Sequence, residues 1–297
     1  MLSTTLSIIL TGLFFSSMFL LISNSLTLIV YVLKILNLAQ GALFALGAYI
    51  TITVIGWMST LNLPLELWYL GFIITAFIMM LIGICLEKGL ISRAYGETME
   101  IFVLLTNGIG LALYDAIKGI WGVFPLMIPY LYHSAGNLSF YEISFPTYNL
   151  FVIIIGYVLS LALWLWLFRT HSGRVIRASA IDSEMSRALG INVRRIYTLI
   201  FALAVALCGL AGAIIIPIRS AVPGFGAEEA IISLAIIAAG GLGSFKGAFI
   251  VSHVMGISRA FGISFYPEIE LAIIFLIVAI ILAIKPTGLF GKEERRL

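Results

Sequence analysis

Side chains able to bind metal ions or act as nucleophiles are few and scattered in this sequence. Cys85 and Cys208 stand alone in apolar stretches, and His133, His171 and His253 are far apart along the chain. A metal site or a disulfide framework needs such residues at ligand spacing, so neither is expected. An enzyme would need convergent His, Asp, Glu, Ser or Cys groups, and this distribution argues against one.

A glycine-rich segment, GGLGSFKG at residues 240–247, has some features of a phosphate-binding loop. Such a loop ends in Gly-Lys-Ser/Thr and follows a strand, whereas Lys246 is followed by glycine and no strand is predicted before it. The chain is therefore not expected to bind ATP. The glycines are expected to serve either in tight helix packing or in a flexible gate, and the sequence does not separate the two.

The composition indicates an integral membrane protein. Of the 297 residues, 62% are hydrophobic and 10% are charged, and the mean hydropathy is +1.14. Soluble domains carry about 25% charged residues. Apolar stretches of about 20 residues, long enough to cross the hydrocarbon core of a bilayer, recur along the whole chain. The predicted fold is all-α and polytopic, a single transmembrane domain over residues 1–297, with about eight or nine transmembrane or partly re-entrant helices. The net charge of +3 gives no indication of nucleic-acid binding.

Hydrophobicity predicts the positions of the membrane spans. The pair around 229–263 is the weakest, because Gly-interrupted apolar segments often enter the membrane only partway or form discontinuous helices. The segment 38–57, rich in Gly, Ala and aromatic residues, is a second candidate for such a break. The candidate spans are residues 6–33, 38–57, 67–86, 101–120, 148–168, 196–217, 229–241, 247–263 and 268–285.

Basic residues predict the orientation, because cytoplasmic loops collect Lys and Arg. Lys88 and Arg93 lie in one such loop, the charged segment (residues 170–195) is another, and residues 292–297 end the chain. Residues 121–147 contain no Lys or Arg and are predicted to lie outside. If all candidate spans cross, the amino terminus is outside, whereas it is inside if one span only dips into the membrane.

The charged segment is exceptional in its composition. Six of the seventeen Lys and Arg residues lie between Arg169 and Arg195. Asp182 and Glu184 come early in a run compatible with a helix, where carboxylates complement the positive helix end, and Arg187 follows Glu184 at i+3. The segment is thus predicted to be a short helix and turn on the cytoplasmic face, with the helix ending at Gly190.

Two interpretations of the charged segment are open. Its arginines could simply fix the topology of a solvated loop. Against that, Ile181, Met185, Ala188 and Leu189 fall at i, i+4, i+7 and i+8, which places them on one apolar helix face. A partner protein or the membrane domain could bury such a face.

Four motifs carry a resemblance to a known family. ASAIDSEMSRALGINV at residues 178–193 resembles the coupling segment of ABC importer permeases, in particular those of the branched-chain amino acid (LIV-type) transporters. LNLAQGALFALGAY at 36–49, GGLGSFKGA at 240–248 and KPTGLFGK at 285–292 resemble other segments of that family in the same order. The resemblance covers the chain from about residue 24 to its end.

The resemblance implies a function and a set of partners. The chain would be a transport subunit without its own ATPase site or cofactor, and ATP and Mg²⁺ would be used by two partner ATPase subunits. A second related permease, an extracytoplasmic solute-binding protein and the lipid bilayer would complete the assembly, in a prokaryotic plasma (inner) membrane, with the carboxyl terminus in the cytoplasm. The implied coupling residues are Asp182, Glu184, Arg187, Ala188, Leu189, Gly190 and Asn192.

The translocation path is predicted from polar and small residues in apolar surroundings. The amides of Asn37 and Gln40 could recognise the charged ends of a zwitterion, or they could simply hydrogen-bond across helices, for about 0.6 to 2 kcal/mol each. The full set predicted to line the path is Asn37, Gln40, Gly41, Gly240, Gly241 and Gly243. Leucine-type amino acids are the family's usual solutes, and urea or short amides are alternatives.

Other charged residues have both structural and functional interpretations. Asp115 and Lys118, three residues apart, could pair on one helix face near the interface. Arg219, Glu228 and Glu229 flank a loop placed outside, where they could contact a binding protein or belong to a solvated loop. A stand-alone secondary transporter or channel is the alternative function, which would require paired charges at mid-membrane.

Overall fold

The computed structural model describes residues 2–140 and 143–291, and these residues form an almost wholly helical bundle. The helices are α1 (Leu2–Leu33), α2 (Gln40–Thr60), α3 (Leu70–Gly89), α4 (Met99–Trp121), α5 (Tyr130–Ser134), α6 (Thr147–Arg169), α7 (His171–Ile181), α8 (Ser183–Ala188), α9 (Val193–Ile215), α10 (Gly226–Gly240), α11 (Phe245–Phe265) and α12 (Glu270–Ile284). One antiparallel hairpin, β1 (Asn137–Phe140) and β2 (Ile143–Pro146), precedes α6, and 3-10 turns occupy Leu65–Tyr69, Ile91–Arg93 and Pro267–Ile269. The predicted all-α fold class is confirmed.

Eight helices within the described ranges are long and apolar enough to cross a membrane, so the chain is a multi-pass membrane protein. The predicted span that falls short is 229–241, which forms α10 with 15 residues. At about 1.5 Å per residue, α10 is about 22 Å long, less than the hydrocarbon core of about 30 Å. The two spans around 229–263 were the weakest predictions. The first of them forms the short α10, whereas the second forms α11, which has 21 residues and is long enough to cross.

Contacts of the long first helix show which helix ends lie at the same end of the bundle. Ile257 of α11 contacts Gly12, and Phe245 at the start of α11 lies 5.9 Å from Tyr31 between ring centroids, so α1 and α11 are antiparallel. Phe168 at the end of α6 also lies beside Tyr31, 6.4 Å between centroids. Because the charged segment follows α6 directly, α1 ends on the side of the charged segment and begins at the opposite end of the bundle.

The basic residues at the carboxyl terminus were predicted to lie in the cytoplasm. Lys292, Arg295 and Arg296 lie outside the residues that the structure describes.

Small polar residues allow the neighbours of α1 to approach closely. Ser16 and Ser23 are fully buried, and a side chain at Gly256 of α11 would meet the backbone of Ser16. The Ser23 and Ser252 hydroxyls lie 3.1 Å apart, which links α1 to α11. Packing and polar contacts of this kind hold helices together in a bilayer, where the lipid is as apolar as the side chains.

Helix α2 begins inside the bundle. Residues 34–39 are non-helical and lead to Gln40, whose side-chain amide donates to the Ile22 carbonyl oxygen in the middle of α1, 3.2 Å away. From there α2 packs against α9, and a side chain at Gly47 would meet the backbone of Gly209. The segment 38–57, predicted as a second candidate for a broken helix, forms the continuous helix α2 from Gln40, and the non-helical residues 34–39 lie before it.

We expect that Gly47→Ala destabilises the bundle, whereas Gly56→Ala in the same helix does not. A methyl group at Gly47 would overlap the Gly209 backbone, whereas nothing lies within 4 Å of one at Gly56. Overpacking of this kind costs about 1–3 kcal/mol, while alanine at a free helix position gains up to about 1 kcal/mol over glycine. Thermal unfolding midpoints of the two variants in detergent test this, and equal midpoints would contradict the close packing of α2 on α9.

Candidate functional site

The charged segment folds as two short helices, and a side chain caps the start of each. The Thr170 hydroxyl accepts from the Gly173 amide at 3.1 Å and begins α7. The Asp182 carboxylate accepts from the Met185 amide at 2.9 Å and begins α8. Such caps satisfy backbone amides that have no partner within the helix. The prediction of one short helix and a turn was therefore too simple, since α7 and α8 meet at Asp182.

The end of α8 agrees with the predicted helix end at Gly190, and α9 begins three residues before the predicted span 196–217. Gly190 has φ +81°, a conformation that favours glycine, and α8 ends two residues before it. Asn192 then caps α9 by accepting from the Arg195 amide at 3.1 Å. Motion of α8 would thus reach α9 through only four residues, 189–192.

The apolar residues of the charged segment are uncovered, but they do not form the single helix face that was predicted, because the break at Asp182 leaves Ile181 at the end of α7 and Met185 in α8. Ile181, Met185 and Leu189 are 85%, 59% and 74% exposed. Ala188 is also exposed, so the membrane domain does not bury these residues. Glu184 is exposed and forms no ion pair with Arg187 within the described residues. Uncovered apolar residues beside charges are typical of a protein-binding surface.

The predicted path residues near the start of α2 are buried polar groups. Gln40 donates to the Ile22 carbonyl oxygen and to the Ser25 hydroxyl, so its amide nitrogen is bonded within the protein. The Asn37 side-chain oxygen accepts from the Ala39 amide at 3.1 Å, but the Asn37 amide nitrogen is buried without a partner in the described structure. Asn37 thus retains an unused donor.

Gly41 permits a close contact between two helix starts. A side chain at Gly41 would meet the carbonyl oxygen of Gly226, the first residue of α10, and the Tyr114 hydroxyl. The Tyr114 hydroxyl is buried without a hydrogen-bond partner among the described residues. The first turns of α2 and α10 therefore meet within the bundle beside unused polar atoms.

An open groove lies beside this region, along α4. Its volume is about 500 Å³, and it is lined by Leu38, Met99, Glu100, Val103, Leu104 and Asn107. None of the predicted path residues is among its lining residues. Glu100 and Asn107 were missed in the sequence, although polar residues seven apart in an apolar run, on one helix face, are a detectable signal.

Gly240, Gly241 and Gly243 lie at the end of α10, on a closely packed turn. A side chain at Gly240 would meet the Gly247 backbone, and Gly241 has φ +101°. The Phe290 amide donates to the Gly240 carbonyl oxygen at 3.0 Å, which joins the last described residues to this turn. These contacts account for the glycines by packing and leave the gate interpretation a prediction.

A charge cluster joins residues that the sequence left apart. The Arg219 guanidinium contacts the Glu229 carboxylate at 2.9 Å, and the Arg259 guanidinium contacts the Glu228 carboxylate at 2.7 Å and that of Glu270 at 3.6 Å. Glu229 and Arg259 are buried. The interpretation of Glu229 as part of a solvated loop is therefore wrong. Arg259 and Glu270 were missed because their partners are 31 and 11 residues away.

The charge cluster borders a cavity of about 140 Å³. Arg219, Glu229 and Arg259 line it together with six apolar side chains: Phe14, Phe15, Met18, Phe19, Ile215 and Ile218. The Arg259 guanidinium lies over the rings of Phe15 and Phe19, 5.0 and 5.6 Å from their centroids. Ion pairs and ring contacts together compensate the removal of these charges from water.

The Asp115 and Lys118 side chains form the predicted pair. Their charged atoms are 3.1 Å apart on one face of α4, and both side chains are exposed. An exposed pair of this kind contributes little to stability.

A family model described as the permease component of the branched-chain amino acid transport system matches residues 8–284. The chain belongs to this family. The match includes the charged segment, the groove and the charge cluster.

Individual relatives agree with the family assignment. The high-affinity branched-chain amino acid transport system permease protein BraD of Pseudomonas aeruginosa is 26% identical, over 95% of this chain and 94% of that protein. The permease protein LivH of the corresponding system in Salmonella typhimurium is 24% identical, again over 95% and 94% of the two chains. A solved structure, PsaBC from Streptococcus pneumoniae in complex with Fab, matches 97% of this chain and 93% of that chain, with a TM-score of 0.47 and 14% identity, and adds nothing to the assignment.

We expect that Arg259→Met destabilises this permease family member far more than Lys118→Met does. Removing Arg259 leaves the carboxylates of Glu228 and Glu229 short of a cation in buried surroundings, which costs about 3–5 kcal/mol. Lys118 belongs to an exposed pair worth at most about 1 kcal/mol. Unfolding free energies in detergent test this, and similar losses for both variants would show that the cluster contributes no more than a surface pair.

Proposed function

We propose that the chain is the membrane-spanning permease subunit of an ATP-driven ABC importer for branched-chain amino acids or related small polar solutes. It would carry out no covalent chemistry and have no cofactor or ATPase site of its own. The observation that carries the proposal is the group of uncovered apolar residues around α8, with Ile181 before it, Met185 in it and Leu189 after it, beside the charges of the segment. Membership of the permease family supports it.

In this proposal the charged segment, residues 170–195, is a cytoplasmic coupling segment and the rest of residues 1–297 is one permease domain. One of the two ATPase subunits would bind α8, and closure and opening of the ATPase dimer would move it. Asp182, Gly190 and Asn192 hold the ends of α8 and the start of α9, so the motion would reach the membrane helices. A shift between outward and inward access follows if the ATPase subunits bind the two states with different affinity.

The groove along α4 is the proposed position of the solute path. Polar groups on the exposed face of a membrane helix are costly in lipid, so Glu100 and Asn107 are expected to face a second permease or water. A second, related permease would close the groove from its open side, and the buried Asn37 donor lies next to Leu38 at its edge. Aliphatic amino acids suit the mixture of apolar and polar lining.

The remaining partners follow from this arrangement. An extracytoplasmic solute-binding protein would deliver the solute on the side opposite the charged segment. The chain would reside in a prokaryotic plasma (inner) membrane, with its carboxyl terminus on the side of the charged segment. The amino terminus would then lie outside, because α1 begins at the opposite end of the bundle.

We expect that Leu189→Glu and Met185→Glu prevent the ATPase subunits from co-purifying with the permease. Each places a charge among the apolar residues that the partner would bury, at a cost of about 2 kcal/mol or more, roughly thirtyfold in affinity. Leu61→Glu is the matched control, since Leu61 is 70% exposed at the far end of α2. Co-expression with the ATPase subunits and quantification of the bound fraction test this. Undiminished binding by both α8 variants would contradict the proposal.

The charge cluster favours a second candidate function, a stand-alone secondary transporter. Arg219, Glu228, Glu229, Arg259 and Glu270 are the kind of paired groups that ion-coupled transporters use, and two of them are buried. The purified chain alone in liposomes, with a proton or sodium gradient and no ATPase subunits, distinguishes the two functions. Uphill uptake by the chain alone would favour the secondary transporter and overturn the importer proposal.

A further inference from the structure

A buried carboxylate outside the sites described above lies at the end of α3. Glu87 is fully buried, in the last turn of the helix. One of its oxygens accepts from the Tyr95 hydroxyl at 2.9 Å, and the other accepts from the Thr198 hydroxyl at 2.6 Å. No Lys, Arg or His within the described ranges lies at ion-pair distance from it. We call Glu87, Tyr95 and Thr198 the hydroxyl clamp.

Packing alone does not account for the hydroxyl clamp. A carboxylate taken out of water without a cation is costly, and a leucine would fill the same space without that cost. Burial and the neighbouring Glu87 raise the pKa of Tyr95 well above its ordinary value, so the phenol keeps its proton and remains a donor. The two hydroxyls therefore hold Glu87 through directional bonds from two different parts of the chain.

The hydroxyl clamp lies directly after the charged segment. Thr198 is in the second turn of α9, which begins at Val193 after α8 and the Asn192 cap. In the same turns, the Tyr197 ring meets the Tyr95 ring edge-on at 5.2 Å between centroids. The Arg194 guanidinium also donates to the Ser92 hydroxyl at 3.4 Å. The start of α9 is thus fastened to the segment that joins α3 to α4.

From the hydroxyl clamp, contacts continue into the groove and along α3. The Tyr95 ring lies 6.1 Å from that of Phe102 in α4, the helix that lines the groove. Along α3, a side chain at Gly83 would lie 2.9 Å from the Ala202 backbone, so α3 and α9 are in close contact there. A displacement of α9 would therefore carry α3 and the start of α4 with it.

We infer that the hydroxyl clamp transmits the movement of the charged segment to α3 and α4, with Glu87 as its central positioning residue. This inference rests on the proposed function, because the movement originates in the ATPase subunits. Its consequence is specific. Loss of one hydroxyl leaves the ATPase subunits bound and able to hydrolyse ATP. The helix α4, which lines the groove, then no longer moves when the ATPase subunits move the charged segment.

The test uses the complete importer in proteoliposomes, with its ATPase subunits, second permease and binding protein, and radiolabelled L-leucine as the solute. Thr198→Val removes the hydroxyl at constant shape, Thr198→Ser retains it, and Tyr95→Phe removes the other donor. We expect Thr198→Val and Tyr95→Phe to reduce leucine transported per ATP hydrolysed roughly tenfold, with ATP hydrolysis within about twofold of wild type. Thr198→Ser should restore the wild-type ratio.

A double-mutant cycle separates transmission from independent local effects. Glu87→Leu and Thr198→Val should each reduce the ratio, and the double variant should resemble Glu87→Leu, because the leucine has already removed the contact that Thr198→Val removes. An unchanged ratio in Thr198→Val, or equal losses in Thr198→Val and Thr198→Ser with parallel loss of ATP hydrolysis, would overturn the role of the clamp and leave the importer intact. Failure of the wild-type assembly to accumulate leucine, other amino acids, urea or short amides in an ATP-dependent way would overturn the proposed function, and the clamp with it.

Discussion

Close backbone contact between helices at small residues is the constraint on which this structure depends. In a bilayer, burying apolar side chains between helices gains little over leaving them in lipid, so packing and interhelical polar contacts must hold the bundle. The contacts of α2 with α9 at Gly47 and Gly209, and of α1 with α11 at Ser16 and Gly256, are of this kind. They fix where the first turns of α2 and α10 meet, and hence where the groove and the buried polar groups lie.

The same low-polarity surroundings explain how the chain handles charge. The buried carboxylates of Glu229 and Glu87 are each held by two partners. Glu229 lies between Arg219 and Arg259, and Glu87 is bonded by two hydroxyls. Because an isolated charge at such depth is costly, these groups join elements that are distant in sequence. The charge cluster ties α10, α11 and α12 together away from the charged segment, whereas the hydroxyl clamp joins α3 and α9 next to it.

The charge cluster and the hydroxyl clamp lie in different parts of the permease. The charge cluster holds α10, α11 and α12 together, whereas the hydroxyl clamp lies where movement of the charged segment would reach the membrane helices. The proposed binding face on α8 is outside the membrane helices and attached to α9 by a few residues after Gly190. The groove is at the exposed side of α4, and the hydroxyl clamp lies between the two. An importer of this design would transmit work from its ATPase subunits along α9 without any charge crossing the bilayer.

The membrane class, the family and the positions of most membrane helices could be predicted from the sequence alone, because hydrophobic run length acts locally and the family motifs are contiguous. The sequence also predicted that a helix begins near Asp182 and ends at Gly190, as observed, whereas the cap at Asn192 was not predicted. The pairing of Arg259 with Glu228 and the burial of Glu87 became apparent in the folded bundle alone. Those features depend on which helices lie side by side, and helix packing brings together residues whose separation along the chain carries no signal in a single sequence.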